Sequence, residues 1–245
     1  GQDGFLNAAS TLRVRDAEAS QLRSLAKTLA ADTVGDAARL AAVFESGTCT
    51  VAKLTDATCT RSFVANFGKR AFRRPLESDE IDGYLALFDL GKAKGEKVGV
   101  QVVVEAMLQS LKFLYRFELG SGTGRVRLSS HELASALSYA IAGSMPDAEL
   151  MRAADRNELS TTGQIEAQAR RLLATAHGHD ATGELFRQLF EYEELETRLK
   201  DPTLFPDYEA TRADMTQELR RFVEDVMFGT GSDAKLRTLL TASHT

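Results

Sequence analysis

The most apolar stretch of the chain, "VGVQVVVEAMLQSLKFLYRFEL" from Val98 to Leu119, sets the first limit on the fold. Its length and hydropathy are those of a membrane span, but its polar residues are not scattered. Gln101, Glu105, Gln109, Lys112 and Arg116 recur every three or four residues and so fall on one stripe of a helix. A bilayer tolerates few such side chains near its centre. The segment therefore predicts a long central core helix with one wetted or hydrogen-bonded edge, and no transmembrane segment.

Other helices are needed to cover that core, and the chain supplies them. It has 4 prolines and no Trp, and β-branched runs are scarce, so an all-α fold is expected. Residues 16–31 place Leu22, Leu25, Ala26 and Leu29 on one face, and a second short helix ends near "FESGTC". Further helices are expected over 58–72, 79–90, 165–176, 181–199, 211–228 and 233–240. "RLSSHELASALSYAIAGSMPDAEL" reads as a helix capped by Ser129 or Ser130 that ends near Gly143, with Pro146 where another can start. "GSGTGR", residues 120–125, is the clearest joint. It divides the chain into two closely packed multi-helix modules, 1–120 and 126–245.

"KRAFRR" raises the question of an anionic partner. Lys69, Arg70, Arg73 and Arg74 precede Pro75, and "ESDE" follows. Cations in a last turn meet the partial negative charge of the helix end, and a proline blocks continuation. Acidic residues suit the first turn of the next helix, and the arginines can pair with them. No stacking platform or second basic run accompanies the cluster, and the chain carries a net charge of −5. The reading is a tight helix–helix corner, with no nucleic-acid partner.

The same residues carry a family resemblance. "FGKRAFRRPL", "LQSLKFLYRFELG", "LSSHELASALSYAIAGSMPDAEL" and the run from "LFRQLFEYEEL" to "VEDVMF" resemble the planctomycete-type cytochrome-associated domains of unknown function. These are helical modules of large secreted proteins of planctomycetes and myxobacteria. The likeness covers residues 58–245, and 4–31 more loosely. It singles out Arg73, Arg74 and Pro75 at the corner, Glu132 and Tyr139 in the capped helix, and Met145, Pro146 and Asp147 at the following turn as structural motif residues. The family commonly has a bulky aromatic, often Trp, after the "LSY" run and in the "LFRQLFEYEEL" helix, and this chain has no Trp.

The resemblance implies that full-length relatives carry a c-type haem attachment sequence, C-x-x-C-H, in another module. Here the cysteines are Cys49 and Cys59, neither followed by His, so no cofactor is expected within this chain and haem is expected on the rest of the protein or a partner. "GQDGFLNAAS" resembles neither an initiation site nor a targeting segment, which suggests a trimmed or mature part of something longer. The expected role is a scaffold that positions a c-type cytochrome module or partner subunit in an extracytoplasmic redox assembly. An alternative is part of a secreted polysaccharide- or polymer-degrading enzyme, with acidic C-terminal helices lining its site. A third is an interaction module without redox context.

Cys49 and Cys59 lie at a loop leading into a helix. A disulfide across so short a loop would contribute on the order of 2–3 kcal/mol in an oxidising compartment, the alternative being two separate buried thiols. "AHGHDATGE" groups His177, His179, Asp180 and Glu184. Without a third His or Cys it reads as a polar connection with Asp180 capping the next helix, and no metal site is expected. His131 is expected at the surface or rim, and nothing can be argued for His244. "EYEELE" and "QELRRFVED" supply carboxylates that exposed helix faces explain without catalysis. "GSGTG" follows no strand and lacks the lysine of a phosphate loop, and no G-x-S-x-G elbow is present.

Overall fold

The computed structural model describes residues 16–44, 49–120, 124, 126–192 and 194–242, and it is all-α, with no strand among the described residues. The chain forms two compact units. Among the described residues, the larger comprises those of 16–136 and 146–160, and the other those of 137–145 and 161–242. The packing thus divides inside a helix (α7, Ser130–Ala142), whereas the modules read from sequence meet at 120–125.

In the larger unit α1 (Asp16–Gly35), α2 (Ala37–Val43), α3 (Ala57–Phe72), α4 (Ser78–Lys92) and α5 (Glu96–Gln109) enclose one core. Its fully buried members include Leu54, Phe63, Val64, Phe88, Val100, Val103 and Met107. α5 is the core helix expected from sequence, packed against α1, α3 and α4. It approaches α4 closely because glycines face each other. A Cβ on Gly91 would fall 2.8 Å from the Gly99 Cα, and one on Gly99 would fall 2.8 Å from the Phe88 ring.

Two expectations need correction here. The core helix does not run to Leu119. It stops at Gln109, Ser110 turns extended (ψ 139°) and caps the short helix α6 (Leu111–Leu114), and the chain then leaves helical geometry. Ser110 supplies the local reason, since its hydroxyl accepts from the Lys112 N–H, which favours a helix start over helix continuation. On α1 the buried face is made by Ala26 and Ala30, while Leu25 and Leu29 are 54% and 44% exposed. Small residues let α1 lie close to α5, which turns the leucines outward.

The disulfide between Cys49 and Cys59 is formed, with the two Cα atoms 5.2 Å apart, and it fastens the loop after α2 to the first turn of α3. Both cysteines are buried. No described helix is long and apolar enough to cross a membrane.

In the second unit α10 (Ala176–Leu189), α12 (Tyr208–Phe228) and α13 (Leu236–Thr241) meet at Phe186, Val223, Val226 and Leu239, while α9 (Thr162–Leu173) packs against α10 and α11 (Glu194–Thr197) against α12. α10 starts five residues earlier than expected. Thr175 caps it through the Gly178 N–H, so His177, His179 and Asp180 lie in its first turns and Asp180 is not a cap. α13 starts at Leu236, because Asp233 accepts from the Lys235 N–H and the Thr238 hydroxyl ahead of the helix.

Candidate functional site

The corner after α3 is built differently from a local charge–dipole contact. Arg73 ends α3 in the left-handed region (φ 59°, ψ 20°), and its side chain is buried rather than solvated. The guanidinium donates to the carbonyls of Lys112 and Tyr115, both at 2.9 Å, and to those of Phe113 and Ala71. The carbonyls at the end of α6 lack helical partners, and Arg73 satisfies them from another element. Arg74 makes a two-pronged pair with Glu80 at 2.8 and 2.9 Å. Glu80 also accepts from the Lys112 ammonium and from the Glu77 N–H, closing a capping box at the start of α4. The Arg74 bond is the main cause that lowers the Glu80 carboxyl from 4.5 to about 2; burial opposes it, and Lys112 and the Glu77 N–H add to it. Pro75 stands between these two arginine anchors and the acidic first turn.

Glu132 has an equivalent joining role at the start of α7. One carboxylate oxygen accepts from the Leu119 and Gly120 N–H groups, the other from the Ser129 N–H, and the Ser129 hydroxyl accepts in return from the Glu132 N–H. Burial works against the charge, but these donors outweigh it and hold the carboxyl below its ordinary range. His131 and Lys69 both reach Asp155 on α8 (Ala148–Asp155), linking α7 and α3 to that helix. Burial opposes the Asp155 charge, and the hydrogen bonds from Lys69 and His131 prevail, lowering its pKa. Met145 is 45% exposed, Pro146 is buried, and Asp147 caps α8 by accepting from the Leu150 N–H at 2.8 Å. Pro146 therefore precedes the cap instead of opening the helix. Tyr139 is half-buried on α7. These motif residues are separate fasteners and do not converge on one cleft.

The cleft lies in the second unit, between α10 and α12. It encloses 1270 Å³ and is lined by Arg187, Arg212, Arg220 and Arg221 together with His179, Asp180, Glu184 and Glu224. Two segments that the sequence presented separately, "AHGHDATGE" and "QELRRFVED", thus meet across 45 residues. His179 Nδ1 lies 2.6 Å from a Glu224 carboxylate oxygen, and its ring stacks on Phe228 with centroids 3.8 Å apart. Glu184 accepts from Arg187 at 2.6 Å. That bond, opposed by burial and helped by Gln188 and Arg220, holds the carboxyl below its usual range. Burial raises the phenol of Tyr192, with Arg220 and Arg187 opposing and Glu184 adding. Among the described residues of "EYEELE", Tyr192 lines the groove and Glu194 pairs with Arg198.

A general acid needs a carboxyl that keeps its proton near neutrality, and Glu184 is shifted the opposite way. Glu184 is therefore suited to an ionised role and not to that of a general acid. No group of three or more metal-ligating side chains occurs among the described residues. Nor does the chain fit covalent haem, since its two thiols are bonded to each other. His131 and His179 are turned to carboxylates, and His244 lies outside the described residues. The lining arginines were hidden in sequence because they read as ordinary partners for nearby Glu. The adjacency of Arg220 and Arg221 was the one available signal.

Residues 59–118 match the family PSD5, a protein of unknown function (DUF1595), and residues 128–245 match PSD4, a protein of unknown function (DUF1592). These are planctomycete cytochrome-associated domains. No curated protein and no solved structure matches the chain.

Proposed function

We propose that a chain in which a PSD5 segment is followed by a PSD4 segment is the helical scaffold of a larger extracytoplasmic protein that carries c-type haem elsewhere, positioning that haem module or a partner subunit. The carrying observation is the tandem match, 59–118 then 128–245, to cytochrome-associated domains. The buried Cys49–Cys59 disulfide supports an oxidising compartment. The long-range fasteners support a rigid element: Arg73 ties segments about 40 residues apart, and Glu132 ties the incoming chain to α7. With no C-x-x-C-H of its own, the chain contributes geometry and not the redox group.

The test is the visible spectrum of the intact native protein, oxidised and then reduced with dithionite. Sharp reduced c-type bands are expected, and a colourless preparation would sink the scaffold reading. The groove between α10 and α12 favours a second reading, a polymer-degrading enzyme, because it brings Asp180, Glu184 and Glu224 to one cleft. Release of reducing ends from polysaccharide by the native protein, abolished by Glu184→Gln, would establish it.

A further inference from the structure

The segment that leaves α6 is fixed at both ends and bare in the middle. The Tyr115 carbonyl accepts from Arg73 at 2.9 Å, and the Leu119 N–H donates to Glu132 at 3.0 Å. Tyr115 is extended (φ −114°, ψ 151°), and no helix or turn forms over 116–119. All five residues are exposed, and three of them, Tyr115, Phe117 and Leu119, are large and apolar. Phe117 and Glu118 make no hydrogen bond or ion pair among the described residues. A non-helical stretch held in place with its main-chain groups open to solvent is a strand edge without a neighbour, and such an edge templates pairing with another chain. Because its ends are already anchored, little ordering remains to oppose that pairing.

We infer that residues 115–119 pair antiparallel with the same segment of a second copy of this chain, about a two-fold axis at Phe117. The charges select this occupant. Arg116 and Glu118 flank Phe117 with opposite signs, so each arginine faces the glutamate of the other copy, and the two Phe117 rings meet between them. Opposite charges directly across a ladder stabilise it, and like charges destabilise it. Hydrogen-bonded and open pairs alternate along an antiparallel ladder, so a two-fold axis must pass through one residue and its own copy. Moving that axis by one residue sets Arg116 against Arg116 or Glu118 against Glu118, and a parallel in-register pair does both. With the axis at Phe117, its unpaired N–H and C=O meet their own counterparts. A guanidinium has five donors, so Arg116 can take the incoming carboxylate alongside other partners. The inference goes beyond the scaffold reading and does not depend on haem.

The experiment follows the intact protein by sedimentation velocity. Two short paired segments fall well short of the ~1,600 Å² of a standard interface, so the dimer is weak, absent at about 10 μM and populated at about 1 mM. Arg116→Glu and Glu118→Arg each replace two attractions by two repulsions and weaken the dimer by about fivefold or more. Mixing the two variants restores association, because a segment with two acids then faces one with two bases. Phe117→Cys gives a second readout. The Cα atoms of a hydrogen-bonded antiparallel pair lie ~5.5 Å apart, within disulfide range, so mild oxidation cross-links it faster than Glu118→Cys, which faces Arg116. The native cysteines are buried and bonded to each other, and do not compete. A parent that stays monomeric at the highest concentration overturns the proposal and leaves the segment to a strand of another protein. So does a dimer that both charge variants leave unchanged, or one that their mixture fails to restore. Equal cross-linking at 117 and 118 also overturns it, since that marks random collision.

Discussion

Replacing Arg73 separates two opposing effects at one position. In the parent its buried guanidinium donates at 2.9 Å to the Lys112 and Tyr115 carbonyls, with longer bonds to Phe113 and Ala71. A hydrogen bond from a charged donor contributes about 1.5–3 kcal/mol. The two short bonds alone would then amount to about 3–6 kcal/mol. Tyr115 is 43% exposed, so water replaces part of this, and a loss of about 3 kcal/mol is expected for Arg73→Ala. The backbone adds a second effect, because φ is 59°. Alanine pays about 1–2 kcal/mol there and glycine almost nothing, but glycine has about 0.4–1 kcal/mol more chain entropy to lose. Arg73→Gly should therefore be the more stable variant by about 0.5–1 kcal/mol, although it removes the same bonds. Urea unfolding followed by far-UV ellipticity gives both differences from the midpoints. An Arg73→Ala variant within about 1 kcal/mol of the parent, or a glycine variant less stable than alanine, would refute the reasoning.

Three further outcomes are expected. The Glu80 carboxyl is lowered from 4.5 to about 2, so its contribution is complete above 4.5 and is lost as pH falls towards 2. Because Arg74 and Lys112 are 34% and 46% exposed, the contribution is about 1–2 kcal/mol, and Glu80→Gln should flatten the acid limb of a stability–pH curve; an unchanged limb would contradict it. Reducing the Cys49–Cys59 disulfide should lower stability by about 2–3 kcal/mol, and identical melting of the oxidised and reduced protein would count against that. Gly91→Ala should destabilise despite its better helix propensity, by about 1–2 kcal/mol net, because the added carbon meets the α5 backbone at 2.8 Å. A stabilised variant in urea unfolding would show that α4 and α5 part freely.

Helices were legible because apolar spacing and caps are local signals. α3, α4 and α12 fall close to where periodicity puts them, and Asp147 and Ser129 are recognisable caps. The break at Ser110 was not legible from polar spacing, since Lys112 and Arg116 continue the stripe of α5. A serine followed by a short apolar run was the only local hint, and the carbonyls released there are answered by Arg73, far back in the chain. Arg73 itself was misread for a related reason. A cation near a helix end has a sufficient local explanation, so nothing in the sequence signals that it turns inward. The outward leucines of α1 follow from the same blindness, since a periodic face does not say whether small or large residues meet the neighbour. The groove was least legible, because His179 meets Glu224 only through the packing of α10 on α12.

We propose that these helices hold a haem-bearing module in place. Cross-linking the native assembly through lysines, then identifying linked peptides by mass spectrometry, tests it most directly. Links are expected between lysines of this chain and a peptide next to a haem-modified C-x-x-C-H. Haem peptides that are present but linked only to other proteins, while this chain links to none of them, would contradict it.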